Sequence, residues 1–586
     1  MKKWKVKKGI TKSASANLSE YPPFLRDILF SRGIVKKDQA KNFLNPSYDR
    51  DIYDPFLIKG MKKAVSRINL AIKNKEKIVV YGDYDADGVP GTVVLTSFFR
   101  EIGFTDFDIF IPDRHTEGYG LKDETLSRLA AEGAKLIITI DCGIVDVSQS
   151  KKAYDLGMEM IITDHHLPQD KLPKAVAILD SKQAGDNYPD KMLCGAGVAF
   201  KLVQALMATN ETKVASGWEK WLLDLVAIAT VSDMVPLVNE NRALAYFGLK
   251  VLRKTRRVGL LELLKTMKLK PENITEDDIG FMLAPRLNAA SRMSHAVQSY
   301  FLLTTSDTLQ AQEIAKHLEE KNKERKKMVD HIMEVIEERI KELDILPSVL
   351  VFGDPSWSAG GLGLVASKIK DKYAKTVFVW GGNNEEGVEK YKGSARSTGE
   401  VNLVKLMQTA GGNDFFADFG GHFMAAGFSF FVGGEVELSK RLNEAYARLD
   451  KEKFEEEILI DKELTLDDIT WDNYYYLEQL APYGIGNPKP IFCLKNIEIS
   501  KAKVFGNGGI HLELQFLNKK GKAVTAIGFF TCTASEKFDT LNGHIFKGVD
   551  LSIGQKIDAL VTVEKSTFKN YPELRLRIID LRPSLI

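Results

Sequence analysis

Three aspartates at alternate positions, Asp83, Asp85 and Asp87, stand in the run Gly82-Asp83-Tyr84-Asp85-Ala86-Asp87-Gly88. Carboxylates this close cannot all stay ionised unless a multivalent cation neutralises them. The competing reading is an Asp-rich turn that caps a helix, and a lone Asp-x-Asp would leave that reading ahead. An EF-hand is excluded, because no glutamate follows where that loop needs one and the flanks read as strand and helix. Further metal-competent residues follow: Asp141 in Thr139-Ile140-Asp141-Cys142-Gly143, the triplet Asp164-His165-His166, and Asp233 in Val231-Ser232-Asp233-Met234. Two adjacent histidines after a buried apolar run are rarely core residues. Imidazole and carboxylate together suit manganese, with magnesium or zinc less well matched. Five of these aspartates, Asp83, Asp85, Asp87, Asp141 and Asp233, brought with the two histidines to one sheet edge point to metal-assisted chemistry.

Such residues need a frame that gathers them. The runs 78–81, 107–111, 136–140, 160–163 and 177–179 are nearly continuous apolar stretches, each closed by a polar or glycine-containing turn. That pattern predicts buried parallel strands in a doubly wound α/β sheet, a fold whose ligands bind beyond the carboxyl ends of the strands. The charge-rich segment from Asp307 to Leu343 lacks Pro and Gly. It predicts a helix of ~50 Å that bridges two domains. Its apolar stripe lapses over Glu319–Lys327, against a coiled coil. Residues 346–450 predict a second, smaller α/β domain. The segment 451–480 reads as an acidic linker, and 481–586 as an OB-like β-barrel with glycine- and asparagine-rich turns. The expected organisation is a basic segment 1–50, a catalytic domain 51–300, a connecting helix 301–345, and then these three parts.

A chain of 586 residues is long enough for three or four domains. Its net charge of +2 is no mark of a general polyanion binder, yet residues 1–50 carry 12 Lys+Arg against 4 Asp+Glu. Residues 489–586 carry 15 against 9. Basic ends suit a phosphate-backbone track or simply a solvated surface. The scattered cysteines Cys142, Cys194, Cys493 and Cys532 form no Cys-x-x-Cys pair, so reduced thiols in a cytoplasmic protein are expected. The basic N-terminal residues have no apolar stretch behind them and no run of about 18 apolar residues occurs, so neither a signal peptide nor a membrane span is expected.

In order and in strand-end context, Asp83–Gly88, Asp141, Asp164-His165-His166 and Asp233 resemble the four motifs of the DHH phosphoesterases. The resemblance implies two Mn2+ ions, with Mg2+ as an alternative. Asp85, Asp87, Asp141, His165 and Asp233 would be ligands, Asp141 would bridge, and Asp83 would be a ligand or lie just outside the shell. His166 would act on the phosphate side, so that Asp141, His165 and His166 form the catalytic group. Tyr81 stands where several DHH families place a metal-binding histidine.

Other segments resemble the RecJ-type exonuclease branch of that superfamily: Pro112-Asp113-Arg114 with Glu117-Gly118-Tyr119-Gly120, Ala284–Met293, Gly393–Ser397, Phe419–His422 with Ala425-Ala426-Gly427, and Pro482–Pro488. Trp357 is followed by Ser358 where relatives commonly have histidine. On this resemblance Arg114, Arg286, Asn288, Arg292, Ser394, Arg396, Gly420, Gly421 and His422 would bind substrate. Tight turns for the glycines and carboxylate pairing for the arginines are the structural alternatives. The implied activity is 5′→3′ hydrolysis of single-stranded DNA to mononucleotides in repair and recombination. A helicase and a single-strand-binding protein are the implied partners, and no membrane is involved. Phe505, Phe568 and Tyr571 are candidate stacking residues on the barrel. A DHH phosphodiesterase acting on short oligonucleotides or nucleotides, and a nonenzymatic single-strand-binding scaffold, are the alternatives.

Overall fold

The computed structural model describes residues 3–114, 116–209, 214–382, 389–451, 457–506, 509, 511–529, 544–546, 549–566 and 571–584. Cys532 and Phe568 lie outside them. The chain divides into two compact units, one of residues 53–235 and 247–454, the other of 1–52, 236–246 and 455–586.

In the first unit the predicted apolar runs form an all-parallel five-stranded sheet. Its spatial order is Phe107–Phe110, Ile78–Gly82, Leu136–Ile140, Glu159–Thr163, Ala177–Leu179. All five residues of Ile78–Gly82 and of Leu136–Ile140 are buried, as inner strands of a parallel sheet require. The first strand in sequence has its successor on one side and the third on the other. The order therefore reverses between Ile78–Gly82 and Leu136–Ile140, the topological switch point where such sheets bind ligands.

The apolar run before Asp233 is not a strand. It is the helix Leu223–Ser232, buried almost all round, with Asp233 at its C-terminal cap. A helix without a polar face has no 3.6-residue periodicity to betray it.

The bridging helix is Thr308–Lys341, 34 residues, capped by Asp307, whose carboxylate accepts from the Leu309 and Gln310 N–H groups. It packs on Val258–Thr266, Ala284–Met293 and Ala359–Tyr373, with Val329, Ile332, Ile336 and Ile340 in one core with the last of these. Where the apolar stripe lapses, Asn322 and Arg325 are buried instead and hydrogen-bond to each other at 2.8 Å. Beyond it, a mixed five-stranded sheet runs in the order Phe416–Gly421, Ala425–Phe431, Lys390–Arg396, Thr376–Gly381, Val349–Asp354.

The second unit contains a closed barrel. Strands Phe492–Phe505, His511–Leu517, Ala523–Gly528, Glu573–Pro583 and Lys556–Ser566 pair in that order, and the last returns to pair with the first. The N-terminal segment is part of this unit and not a separate region. Lys3–Val6 pairs in parallel with Glu457–Ile460. Leu25, Ile28 and Leu29 share one core with Phe492, Leu512 and Leu576, and Phe24 stacks on Phe492 at 5.9 Å. The segment expected to be a linker is also structured, as strands Glu457–Ile460 and Lys462–Leu464 and helix Trp471–Leu480. Among its described residues Ile460, Leu464, Leu477 and Leu480 are buried, and those apolar positions decide its state. Arg242, itself buried, donates to the carbonyls of Phe43, Leu480, Ala481 and Pro482.

Candidate metal centre and cleft

Backbone ladders carry the acidic residues one step past the strand ends. Asp83 N–H donates to Ile140 O at 3.0 Å, Asp141 N–H to Thr163 O at 2.9 Å, and Asp164 N–H to Leu179 O at 3.1 Å. The chain then turns sharply. Asp85 Oδ1 accepts from the N–H groups of Asp87 (2.8 Å) and Gly88 (3.2 Å), which folds the Asp-rich loop onto itself. Asp87 seats both oxygens on the N-terminus of helix Gly195–Ala208, accepting from Gly195 N–H at 2.6 Å and Ala196 N–H at 2.7 Å. That end of a helix favours negative charge. Asp141 adopts a left-handed backbone, φ 63°, which costs a non-glycine residue about 1–2 kcal/mol.

These turns gather the predicted ligands. Three sets have ligand atoms within 4.8 Å of one another: Asp83, Asp85 and Asp141; Asp87, His165 and Asp233; and Asp141, His165 and His166. His165 Nε2 lies 3.1 Å from Asp141 Oδ1 and 3.7 Å from both Asp87 Oδ2 and Asp233 Oδ2. Burial, helped by the neighbouring His166, pushes the His165 imidazole down to about 3, so it is neutral. Its ring also hydrogen-bonds the Leu193 backbone, which leaves a lone pair facing carboxylate oxygens. Asp83 Oδ1 and Asp141 Oδ1 are buried with no hydrogen-bond partner. Burial first, and neighbouring carboxylates second, push Asp83 and Asp141 well above the usual carboxylate range. The same two causes raise Asp87 to about 7 and Asp233 to about 8. Buried acceptor atoms facing one another fit divalent cations, and the mixed carboxylate and imidazole set fits Mn2+.

Sequence reasoning named Asp164 within its triplet but gave it no role of its own. It is fully buried, and its Oδ1 takes the N–H groups of His165 (2.7 Å) and His166 (3.1 Å) and lies 2.8 Å from His166 Nδ1. Burial pulls the His166 imidazole down, but its bond to Asp164 and the charges of Asp164, Asp233 and Asp87 together raise it to about 8. Tyr119 was also missed as a contact: its Oη lies 3.1 Å from His166 Nδ1. Gly195 is a third omission, since a Cβ there would come 2.5 Å from the Asp141 Cβ. Tyr81, in the position several families give to a metal-binding histidine, is buried in the apolar core and donates to Gly120 O at 3.1 Å.

The predicted substrate residues fall into two groups. Asn288 and Arg286 face inward. Asn288 Oδ1 accepts the Ala86 N–H at 2.8 Å and so braces the Asp-rich loop. Arg286 is committed to Glu319 at 2.6 Å and to Met282 O. Arg292 donates to Gly360 O at 2.9 Å, which ties the first sheet domain to the helix Ala359–Tyr373. Arg396 donates to Ser367 Oγ and Ala395 O, and has no carboxylate partner among the described residues.

A cleft of about 750 Å³ is lined from one side by Tyr84, Arg114 and Tyr119, and from the other by Lys392, Ser394 and Gly420 among others. The Arg114 guanidinium lies 5.0 Å from the Tyr84 ring centroid. Gly420, Gly427 and Ser394 are partners across three adjacent strands. A Cβ at Gly420 or Gly427 would meet nothing within 4 Å, so these glycines leave a flat open floor rather than fill a tight turn. Gly421 differs: its φ of 137° and a Cβ contact of 2.5 Å to Ala425 O demand glycine. His422 stands exposed in the turn and donates its backbone N–H to Ala425 O at 2.8 Å. Ser358 precedes the helix Ala359–Tyr373, where its side chain makes no capping hydrogen bond.

Comparison with known proteins agrees with this arrangement. The DHH family N-terminal domain matches residues 77–230, the DHHA1 domain 346–450 and the RecJ OB domain 460–580. The single-stranded-DNA-specific exonuclease RecJ of Bacillus subtilis is 38% identical over 508 residues, 86% of this chain. The match spans 63% of that relative's length. The crystal structure of RecJ in complex with Mn2+ from Thermus thermophilus covers 100% of this chain and 80% of its own, with a TM-score of 0.80 and 26% identity. The exonuclease RecJ of Haemophilus influenzae is 31% identical over 551 residues, which takes in 91% of this chain and 92% of that one. Likeness sustained from end to end, over domains that occur in this order, makes the chain a member of the RecJ family of single-stranded-DNA-specific exonucleases.

Proposed function

We propose that the chain is a two-metal exonuclease that degrades single-stranded DNA from a free 5′ end to mononucleotides, in repair and recombination. The observation that carries this reading is the cluster around Asp141: an orphaned buried carboxylate oxygen beside a neutral imidazole and within reach of both outer ligand sets. Asp83, Asp85, Asp87, Asp141, His165 and Asp233 would hold two ions, Asp141 being shared by two of the ligand sets. Mn2+ is the better fit and Mg2+ the alternative. Bound there, the ions would activate a shared water and neutralise charge on the scissile phosphate.

The chain's own residues do the rest. Asp164 orients the His166 imidazole, which leaves Nε2 to face the phosphate as charge develops. Arg114, Ser394 and Arg396 offer donors to the terminal nucleotide, and the Gly420–Gly427 floor lets a sugar–phosphate backbone lie flat. Asn288 supports the metal loop instead of touching substrate. Splayed bases enter a cleft that excludes a duplex, so a helicase would have to supply the strand and a single-strand-binding protein would present it. The barrel is the expected platform for the rest of the strand. Among the described residues no helix is long and apolar enough to cross a membrane.

The test is an incubation of 5′-labelled, 3′-labelled and circular single strands with Mn2+. Immediate release of labelled mononucleotide from the 5′-labelled strand, with the circle untouched, is expected. Cleavage of the circle, or release from the 3′ end first, overturns the proposal, and activity confined to very short oligonucleotides favours the phosphodiesterase reading. Arg396→Ala should raise KM for a 5′-phosphorylated strand and leave kcat nearly intact.

A further inference from the structure

The backbone of Asp141 is held in its left-handed conformation from two sides. Its N–H is tied to Thr163 O inside the sheet ladder at 2.9 Å. On the other side, its carbonyl accepts the hydroxyl hydrogen of Tyr119 at 3.2 Å. The same Tyr119 Oη lies 3.1 Å from His166 Nδ1, with the two rings edge to face at 5.5 Å. One hydroxyl thus touches the residue shared by two of the ligand sets and the imidazole beside them. Tyr119 is in turn fixed by its neighbours: Tyr81 donates to Gly120 O at 3.1 Å, and Asp146 Oδ2 accepts the Leu121 N–H at 2.9 Å.

We infer that the Tyr119 hydroxyl is a positioning group for the metal centre, and that Tyr81 supports it through Gly120. Asp141 needs a strained φ to aim its carboxylate between the ligand sets. A φ near +60° relaxes readily in a non-glycine residue unless both flanking peptide groups are bound. Thr163 O binds one of them and Tyr119 Oη the other. The geometry also gives His166 a second neighbour at Nδ1, beside Asp164, which narrows the swing of the ring. Tyr81, set where several related families carry a metal-binding histidine, would thereby serve the metals indirectly, through two hydroxyls and a backbone carbonyl.

The inference rests on the two-metal reading above. Its test is Tyr119→Phe, which keeps the ring and removes only the hydroxyl. Two measurements are made: Mn2+ binding to the DNA-free protein by calorimetry, and kcat and KM on a single strand at saturating Mn2+. Loss of one hydrogen bond predicts Mn2+ affinity weakened by about fivefold to tenfold and kcat lowered by a similar factor, with KM nearly unchanged. Tyr81→Phe leaves Tyr119 chemically intact, and should weaken Mn2+ binding in the same direction by a smaller factor. It also serves if Tyr119→Phe folds poorly. Mn2+ isotherms indistinguishable from wild type in both variants overturn the inference, as does a rise in KM alone, which would make Tyr119 a strand contact. A wild-type protein that binds no Mn2+ would instead sink the two-metal reading.

Discussion

Gly195→Ala isolates the geometry of the metal centre from its chemistry, because it alters no candidate ligand. A Cβ at residue 195 would sit 2.5 Å from the Asp141 Cβ and 2.8 Å from its Cγ and Oδ1. Carbon atoms in contact settle about 3.5–4.0 Å apart, so either Asp141 or the start of helix Gly195–Ala208 must retreat by about 1 Å. The atoms in the way are at the root of the Asp141 side chain, which cannot swing aside as a long side chain's tip would. The helix cannot retreat freely either, since its first two N–H groups hold Asp87 at 2.6 and 2.7 Å. Either motion displaces a ligand by several times the ~0.2 Å that metal coordination tolerates, and a 1 Å misplacement costs about a hundredfold in rate. Stability should move far less. Overpacking costs about 1–3 kcal/mol, and alanine recovers up to about 1 kcal/mol over glycine in a helix. The assay is turnover of a single strand at saturating Mn2+, beside a thermal melt of the same protein. A hundredfold loss of kcat with a melting shift of a few degrees is expected. Turnover within about threefold of wild type would refute the argument that the 141–195 approach sets the centre's geometry.

Asp141→Ala should abolish hydrolysis in Mn2+ with the circular dichroism spectrum unchanged; most of the wild-type rate surviving would sink the metal assignment. His166→Ala should lower kcat far more than it changes KM, whereas a raised KM at constant kcat would make it a ground-state contact. Asp87 and Asp233, raised to about 7 and about 8, give a pH prediction. Their folded values exceed the unfolded value of about 3.9, so the metal-free protein should lose stability as pH rises from about 4 through 7 to 8. Mn2+ should remove that loss and release protons on binding near pH 6.5, as calorimetry in buffers of different ionisation enthalpy would report; zero proton release contradicts the cluster as described. Leu25→Ala should destabilise the barrel unit by about 2–5 kcal/mol and weaken affinity for long strands, while short oligonucleotides are still cleaved. Long-strand affinity unchanged despite a lower melting point would show that the barrel does not bind the strand.

The strand-end aspartates were legible because an inner parallel strand is apolar at every residue and the chain must turn polar where it leaves the sheet. Asp83 and Asp141 sit at that boundary. Asp233 was legible as a site residue but not its support, since an evenly apolar helix and a buried strand look alike in sequence. Asn288 and Arg286 show a different limit. Both have side chains that suit a nucleotide, and only coordinates reveal that one braces Ala86 and the other pairs with Glu319. Asp164 was visible as part of a triplet, but its own role was not, because that role is hydrogen bonding to His165, His166 and the Ile144 N–H rather than to a ligand. The kinship of residues 1–52 with the barrel had no local trace at all, because parallel pairing of Lys3–Val6 with Glu457–Ile460 leaves no turn signal.

That pairing has a consequence for the order in which the protein comes into being. Trp4 Nε1 donates to Asp580 Oδ2 at 2.8 Å across 576 positions of sequence. At about 5–20 residues per second, a ribosome needs roughly half a minute to two minutes to deliver the second partner after the first. Throughout that interval Phe24, Leu25, Ile28 and Leu29 have no barrel to bury them. The sheet domain, whose strands lie between residues 78 and 179, meanwhile has all its partners within reach. Residues 24–29 are therefore made long before the strands that house them, and the nascent chain carries this apolar segment unburied until the barrel is complete.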